Sequence, residues 1–122
     1  MKDKLKNEFL TGVKEIEGDL LSLGLSLNSS YTVSEGLFCE FGNGRTKAEF
    51  LFGPSDWDVE MIIYTPKGKF AFRDLLQIPV ISKWVRGNKY AGQNGRNISS
   101  ELHWYFSLLK FSLSVIAPEN GI

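Results

Sequence analysis

The stretch Asn-Ile-Ser-Ser-Glu-Leu-His-Trp-Tyr-Phe-Ser-Leu-Leu-Lys-Phe-Ser-Leu-Ser-Val-Ile, residues Asn97 to Ile116, does most to limit what this chain can become. It holds neither glycine nor proline until Ala117-Pro118, and Asn97 can cap a first turn, so it reads as a helix. Leu102, Tyr105, Phe106, Leu109 and Leu113 form one stripe, while Trp104, Leu108, Phe111 and Val115 carry apolar surface around the rest of the cylinder. A helix apolar on so many sides needs to be covered on most of them. The remaining sequence must therefore supply a wide apolar partner.

With 122 residues and 43% hydrophobic side chains, the chain suffices for one domain with a substantial core. No apolar run approaches the roughly 20 residues that cross a bilayer. The opening Met-Lys-Asp-Lys-Leu-Lys-Asn-Glu does not have the pattern of a signal peptide. A cytoplasmic protein is expected. The single cysteine, Cys39, rules out an intrachain disulfide and a cysteine-rich zinc site.

Two further patterns supply the apolar partner. Leu5, Phe9, Val13, Ile16, Leu20 and Leu23 recur every three or four residues and predict an amphipathic helix from about Asp3 to Leu23, ended by Gly24. Gly12 and Gly18 lower its intrinsic propensity, so it depends on packing of that stripe. Leu25 to Ser30 has turn character, and from Tyr31 the period becomes two. Leu37, Cys39 and Phe41 alternate with Phe38 and Glu40, and Gly42-Asn43-Gly44 signals a hairpin into Thr46 to Phe52. A two-residue Asn43-Gly44 loop pairs Cys39 with Ala48, Leu37 with Phe50, Glu40 with Lys47 and Phe38 with Glu49. After Gly53-Pro54-Ser55-Asp56, Trp57 to Thr65 alternates again. A four-residue loop there sets Phe50 beside Val59 and opposes Glu49 to Glu60, a mildly unfavourable pair.

Pro66-Lys67-Gly68 leads into a short fourth strand, Lys69 to Arg73, whose register two- and three-residue loops leave open. Leu75 to Arg86 reads as helical, with Pro79 opening its second part, Trp84 and Val85 anchoring it and Gly87 closing it. Residues 87–97 form a glycine-rich loop. The expected fold is α+β: an N-terminal helix, a four-stranded antiparallel meander, then two C-terminal helices packed on one face of the sheet.

Charge is segregated along the chain. Residues 1–61 carry a surplus of five acids and residues 62–122 a surplus of five bases, which suggests two surfaces of opposite sign. His103 has no second histidine or cysteine nearby with which to hold a metal, and Cys39 falls at an inward strand position, so neither points to catalysis. There is no nucleophile elbow and no phosphate-binding loop. No cofactor and no enzymatic activity are expected.

Two surfaces remain. Lys83, Arg86, Lys89 and Arg96 lie in or beside the glycine-rich loop that feeds the last helix, with Tyr90 available to stack. Free amides at that helix start favour anions, which makes a phosphate or RNA site one option. The other is the outward sheet face, where Glu40, Glu49, Asp58 and Glu60 sit close to Phe38, Leu51, Ile62 and Tyr64, with Asp56 at the turn. Carboxylates that steer association, interleaved with apolar area, suit a basic protein partner.

With Trp57-Asp58-Val59-Glu60 in the meander and Glu101-Leu102-His103-Trp104-Tyr105 opening the last helix, the layout resembles small bacterial immunity proteins. Those are the cognate inhibitors of polymorphic or contact-dependent growth inhibition toxins. The resemblance implies a protein that binds and blocks a toxin, often a nuclease with a basic active site, and the outward-face pattern puts the contact on Glu40, Glu49, Asp56, Asp58, Glu60 and Tyr64. A monomer is favoured, and neither membrane nor nucleic acid is expected as a partner. Other classes are a dimeric chaperone of the type III secretion kind, and an anion or nucleic-acid binder using the four bases.

Overall fold

The computed structural model describes residues 2–33, 36–53, 58–88 and 97–117. The first helix, α1, spans Lys2–Ser22 and buries Phe9, Val13, Ile16 and Leu20. Gly24 ends it with φ 85°, and Leu25 N–H donates to the Leu20 carbonyl at 2.9 Å, a Schellman closure that only a left-handed residue permits cheaply.

Five antiparallel strands follow in a simple meander: β1 Ser26–Val33, β2 Gly36–Gly42, β3 Lys47–Phe52, β4 Val59–Thr65 and β5 Gly68–Phe70. The fold is thus α+β as expected, but with five strands instead of four. The additional strand is β1, which lies at the sheet edge and bulges between Leu27 and Ser29. Its serines and asparagine gave a turn-like reading, because an edge strand needs no full apolar face.

The expected registers are corrected by two residues in both central hairpins. Cys39 lies opposite Phe50, Phe41 opposite Ala48, Leu37 opposite Phe52 and Glu40 opposite Glu49. The tip is Gly44-Arg45, one position later than Asn43-Gly44. Asn43 causes the displacement: its Oδ1 accepts from Arg45 N at 3.0 Å and Thr46 N at 2.8 Å, and its own N–H donates to the Thr46 carbonyl at 3.1 Å. Gly44, with φ 89°, then occupies the first tip position, where a type II′ turn asks for glycine.

Between β3 and β4 the connection is residues 53–58, longer than the four residues expected, so Phe50 meets Met61 and Leu51 meets Glu60. The Glu49 to Glu60 opposition therefore does not occur. β4 starts at Val59; Trp57 and the turn 54–56 lie outside the described residues. The last hairpin resolves to a two-residue Pro66-Lys67 loop that sets Phe70 opposite Ile63. Thr65 Oγ1 accepts from Lys67 N at 3.0 Å, and Gly68 has φ 141°.

A slip of two residues keeps every side chain on its expected face. On the inner face Cys39, Phe50 and Met61 lie across three strands, flanked by Phe41, Ala48 and Ile63 on one side and Phe52 and Val59 on the other, all buried. Phe9 of α1 stacks on Phe52 with ring centroids 5.5 Å apart.

β5 ends at Phe70, short of the expected Arg73. The chain turns at once into the one-turn helix α2, Phe72–Leu75, whose Asp74 carboxylate accepts from Ala71 N at 2.8 Å. α3, Pro79–Gly87, follows separately with proline in its first turn. The final helix, α4, spans Ile98–Ile116; the Asn97 side chain accepts from Ser100 N, as its capping reading requires. Leu102, Leu108, Leu109 and Leu113 are buried, whereas Tyr105 and Phe106 are half-buried.

α1 and α4 pack against each other and against the inner face, α1 beside β1 and β2 and α4 beside β4. Along α4, Trp84 of α3 stacks on Phe111 (5.6 Å) and lies 6.1 Å from Trp104. Phe72 of α2 meets Trp104 and Tyr105. Among the described residues no helix is long and apolar enough to cross a membrane.

Candidate interaction surface

The outer face of the sheet carries the side chains that alternate with the core. Three cross-strand rows follow from the register. Phe38, Leu51 and Glu60 make the first; Glu40, Glu49 and Ile62 the second; Lys47, Tyr64 and Lys69 the third. Phe38, Leu51, Ile62 and Tyr64 are all half-buried, and none belongs to the core cluster that the helices cover.

The two acids of the second row oppose each other directly, a cost that the third row relieves. Lys47 Nζ lies 3.4 Å from Glu40 Oε1 and 3.8 Å from Glu49 Oε2. Asn28 Nδ2 donates to Glu40 Oε2 at 3.2 Å and the Tyr64 hydroxyl donates to Glu49 Oε1 at 3.1 Å. Lys47 Nζ also sits 4.5 Å from the Tyr64 ring centroid, and Lys69 Nζ 5.9 Å from it on the next strand. A chain of polar contacts thereby crosses all five strands. Partial burial, the bond to Glu49, and the Glu49 and Glu40 charges push the Tyr64 phenol above its ordinary pKa. Glu49 is only 8% exposed and is held within this network.

Acidity directed to solvent concentrates at the other end of the sheet. Asp58 and Glu60 are exposed at the start of β4, and Glu101 of α4 joins them around a groove also lined by Phe72 and Tyr105. Burial, then the charges of Glu101, Glu60 and Asp58, push the Tyr105 phenol up to about 12, so it stays a hydrogen-bond donor at neutral pH. Among the described residues no group of three or more acids, histidines or cysteines has the geometry to hold a metal ion.

No family model, curated protein or solved structure matches this chain. The assignment of a role therefore rests on the surfaces themselves.

Of the sequence-predicted interface residues, Glu40, Glu49, Glu60 and Tyr64 share the outer face with Phe38, Leu51 and Ile62. Asp58 directly precedes β4, and Asp56 lies outside the described residues. Of the alternative anion site, the structure describes two of the four bases. Lys83 and Arg86 are exposed on α3, where Arg86 Nη1 donates to Ser82 Oγ at 3.0 Å; Lys89, Tyr90 and Arg96 lie outside the described residues. The start of α4 already has an internal anion, since Ile98 N donates to Glu8 Oε1 of α1 at 3.2 Å.

His103 and Cys39 do not meet. Cys39 is buried in the core, while His103 is on the exposed side of α4, its Nε2 3.0 Å from Glu15 Oε1, which also accepts from Ser99 Oγ at 2.7 Å. These contacts clasp α1 to α4. The hydrogen bonds from Ser99 and His103 hold the Glu15 carboxyl below its ordinary pKa of 4.5, outweighing the opposite effect of desolvation. A depressed folded pKa means that the clasp contributes stability above the unfolded carboxyl range and loses it as pH falls through the folded value. The urea midpoint of the parent is therefore expected to fall more steeply than that of Glu15→Gln between about pH 6 and about pH 3. Parallel curves would remove Glu15 from this role.

Residues outside the expected interface set complete the surface. Lys47, expected on this face opposite Glu40, lies opposite Gly42 and still reaches both Glu40 and Glu49. Asn28 came from a segment read as a turn. Glu101, Phe72 and Tyr105 reach the groove only through the tertiary placement of α2 and α4.

Proposed function

We propose that this chain is a protein-binding inhibitor of the immunity-protein kind, acting in the bacterial cytoplasm by occluding a basic protein partner, a cognate toxin, with the outer face of its sheet. The supporting observation is the row Phe38, Leu51 and Glu60 beside Ile62, with Asp58 adjoining. It offers apolar area and negative charge on the side of the sheet opposite α1 and α4. Half-exposed apolar side chains ringed by like charge suit a docking face, where the former supply desolvated area and the latter steer encounter. Glu40, Glu49 and Tyr64 shape this face; Asp58 and Glu60 supply the field.

The test is protection of growth. Cells expressing a candidate toxin domain from an adjacent reading frame should survive with the parent chain, and the Asp58→Lys/Glu60→Lys double variant should protect poorly. Purified, the variant is expected to associate about tenfold or more slowly at low salt while melting normally. Protection by neither protein would defeat the inhibitor reading, and equal protection by both would move the interface elsewhere.

A further inference from the structure

β4 has seven residues and its outer neighbour β5 has three. The β4 to β5 ladder covers Ile63, Tyr64 and Thr65 only, and then the chain leaves the sheet to begin α2 at Phe72. The edge of β4 that faces away from β3 is consequently without a ladder partner along Val59–Ile62 among the described residues. An antiparallel strand directs both backbone polar groups of alternate residues to one side. Half of the peptide groups in this segment therefore point at that edge, and among the described residues no backbone hydrogen bond from outside the ladders reaches them.

The edge opens onto the groove described above, a cavity of about 380 Å³. One wall is the strand itself; Phe72 and Tyr105 belong to α2 and α4 on the helical side, and the Tyr105 hydroxyl takes no hydrogen bond among the described residues. Asp58 and Glu60 line it from the strand and Glu101 from α4. The lining thus combines unused main-chain groups, aromatic surface and one sign of charge.

That sign selects the occupant. A second copy pairing β4 against β4 would bring Asp58 and Glu60 of one chain against the same acids of the other, which is unfavourable. An extended segment with lysine or arginine at alternate positions meets the opposite situation. Side chains on one face of such a strand reach Glu60 and Asp58, while those on the other lie along Phe72 and Tyr105 toward Glu101. We propose that the Val59–Ile62 edge binds an extended, lysine- or arginine-bearing segment of a protein partner as an added antiparallel or parallel strand. The proposal goes beyond the sheet-face reading, because it concerns the edge and requires main-chain pairing whatever the partner's identity.

A fluorescein-labelled heptapeptide alternating lysine with valine tests it on the full chain by anisotropy, alongside the same peptide methylated on alternate backbone nitrogens. Methylation keeps charge and side-chain sequence but removes the donors of one strand edge, so binding is expected to weaken about tenfold or more. Amide exchange should slow within Val59–Ile62 when the unmodified peptide is added. Glu60→Lys and Glu101→Lys together should also weaken binding about tenfold, with an unchanged melting temperature as the check on folding. Equal affinity for the methylated peptide would reduce the effect to charge adsorption and overturn the proposal. So would no binding at all, protection confined to other strands, or a concentration-dependent homodimer that buries this edge. Because Glu60 belongs to both surfaces, the methylated peptide and the amide-exchange pattern, which leave the chain unaltered, separate this proposal from growth protection through the outer face.

Discussion

Replacing Phe9 with alanine is expected to remove about 3–5 kcal/mol from the free energy of unfolding. Phe9 is fully buried, and its ring stacks on Phe52 at 5.5 Å with an interplanar angle of 18°. This pair joins the helical layer to the third strand, so truncation both loses transfer free energy and opens a void between two layers that cannot collapse independently. A loss of that size is a large share of the roughly 5–15 kcal/mol that holds a typical domain together. Phe9→Leu keeps most of the volume and should cost less than about 1.5 kcal/mol. The measurement is the urea midpoint with its slope unchanged. A Phe9→Ala loss below about 1 kcal/mol would mean that the stack does not bind the two layers.

That core was legible in the sequence because its signals are redundant. Phe9, Val13, Ile16 and Leu20 repeat at the helical period, and Cys39, Phe41, Phe50, Met61 and Ile63 repeat at the strand period, so each member confirms the others. Face assignment survived even where pairing was misread, since displacement by two positions leaves inward and outward sets intact.

Register depended instead on a few local hydrogen bonds. The Asn43 carboxamide, by accepting from Arg45 and Thr46, moved the hairpin tip by one residue and set Glu40 opposite Glu49 instead of Lys47 through its effect on the whole ladder. The outer face consequently differs in its charge pattern from the one expected. Glu49 is enclosed by Lys47 and Tyr64, and the exposed acids are Asp58 and Glu60 at the start of β4. The groove at β4 was not legible at all, because it exists only where β5 stops at Phe70 and α4 brings Glu101 and Tyr105 alongside.

The two glycines of α1 should respond to alanine with opposite signs. Gly18 has open space where a Cβ would stand, so Gly18→Ala is expected to stabilise by about 0.5–1 kcal/mol through helix propensity alone. At Gly12 a Cβ would lie 2.7 Å from Leu102 Cδ1 and 3.0 Å from Ser99 Cα. Leu102 is fully buried and the Ser99 contact is backbone, so neither yields without separating α1 from α4. The same gain in propensity is then set against about 1–3 kcal/mol of overpacking, and Gly12→Ala should be net destabilising. Separation would also strain the Glu8 bond to Ile98 and the Glu15 bonds to Ser99 and His103, which lie on either side of the crossing. Because α4 carries Tyr105 and Glu101, the displaced helix would move one side of the β4 groove. Thermal melts of the two single variants decide the matter: stabilisation by both would show that the helices do not approach each other closely at Gly12.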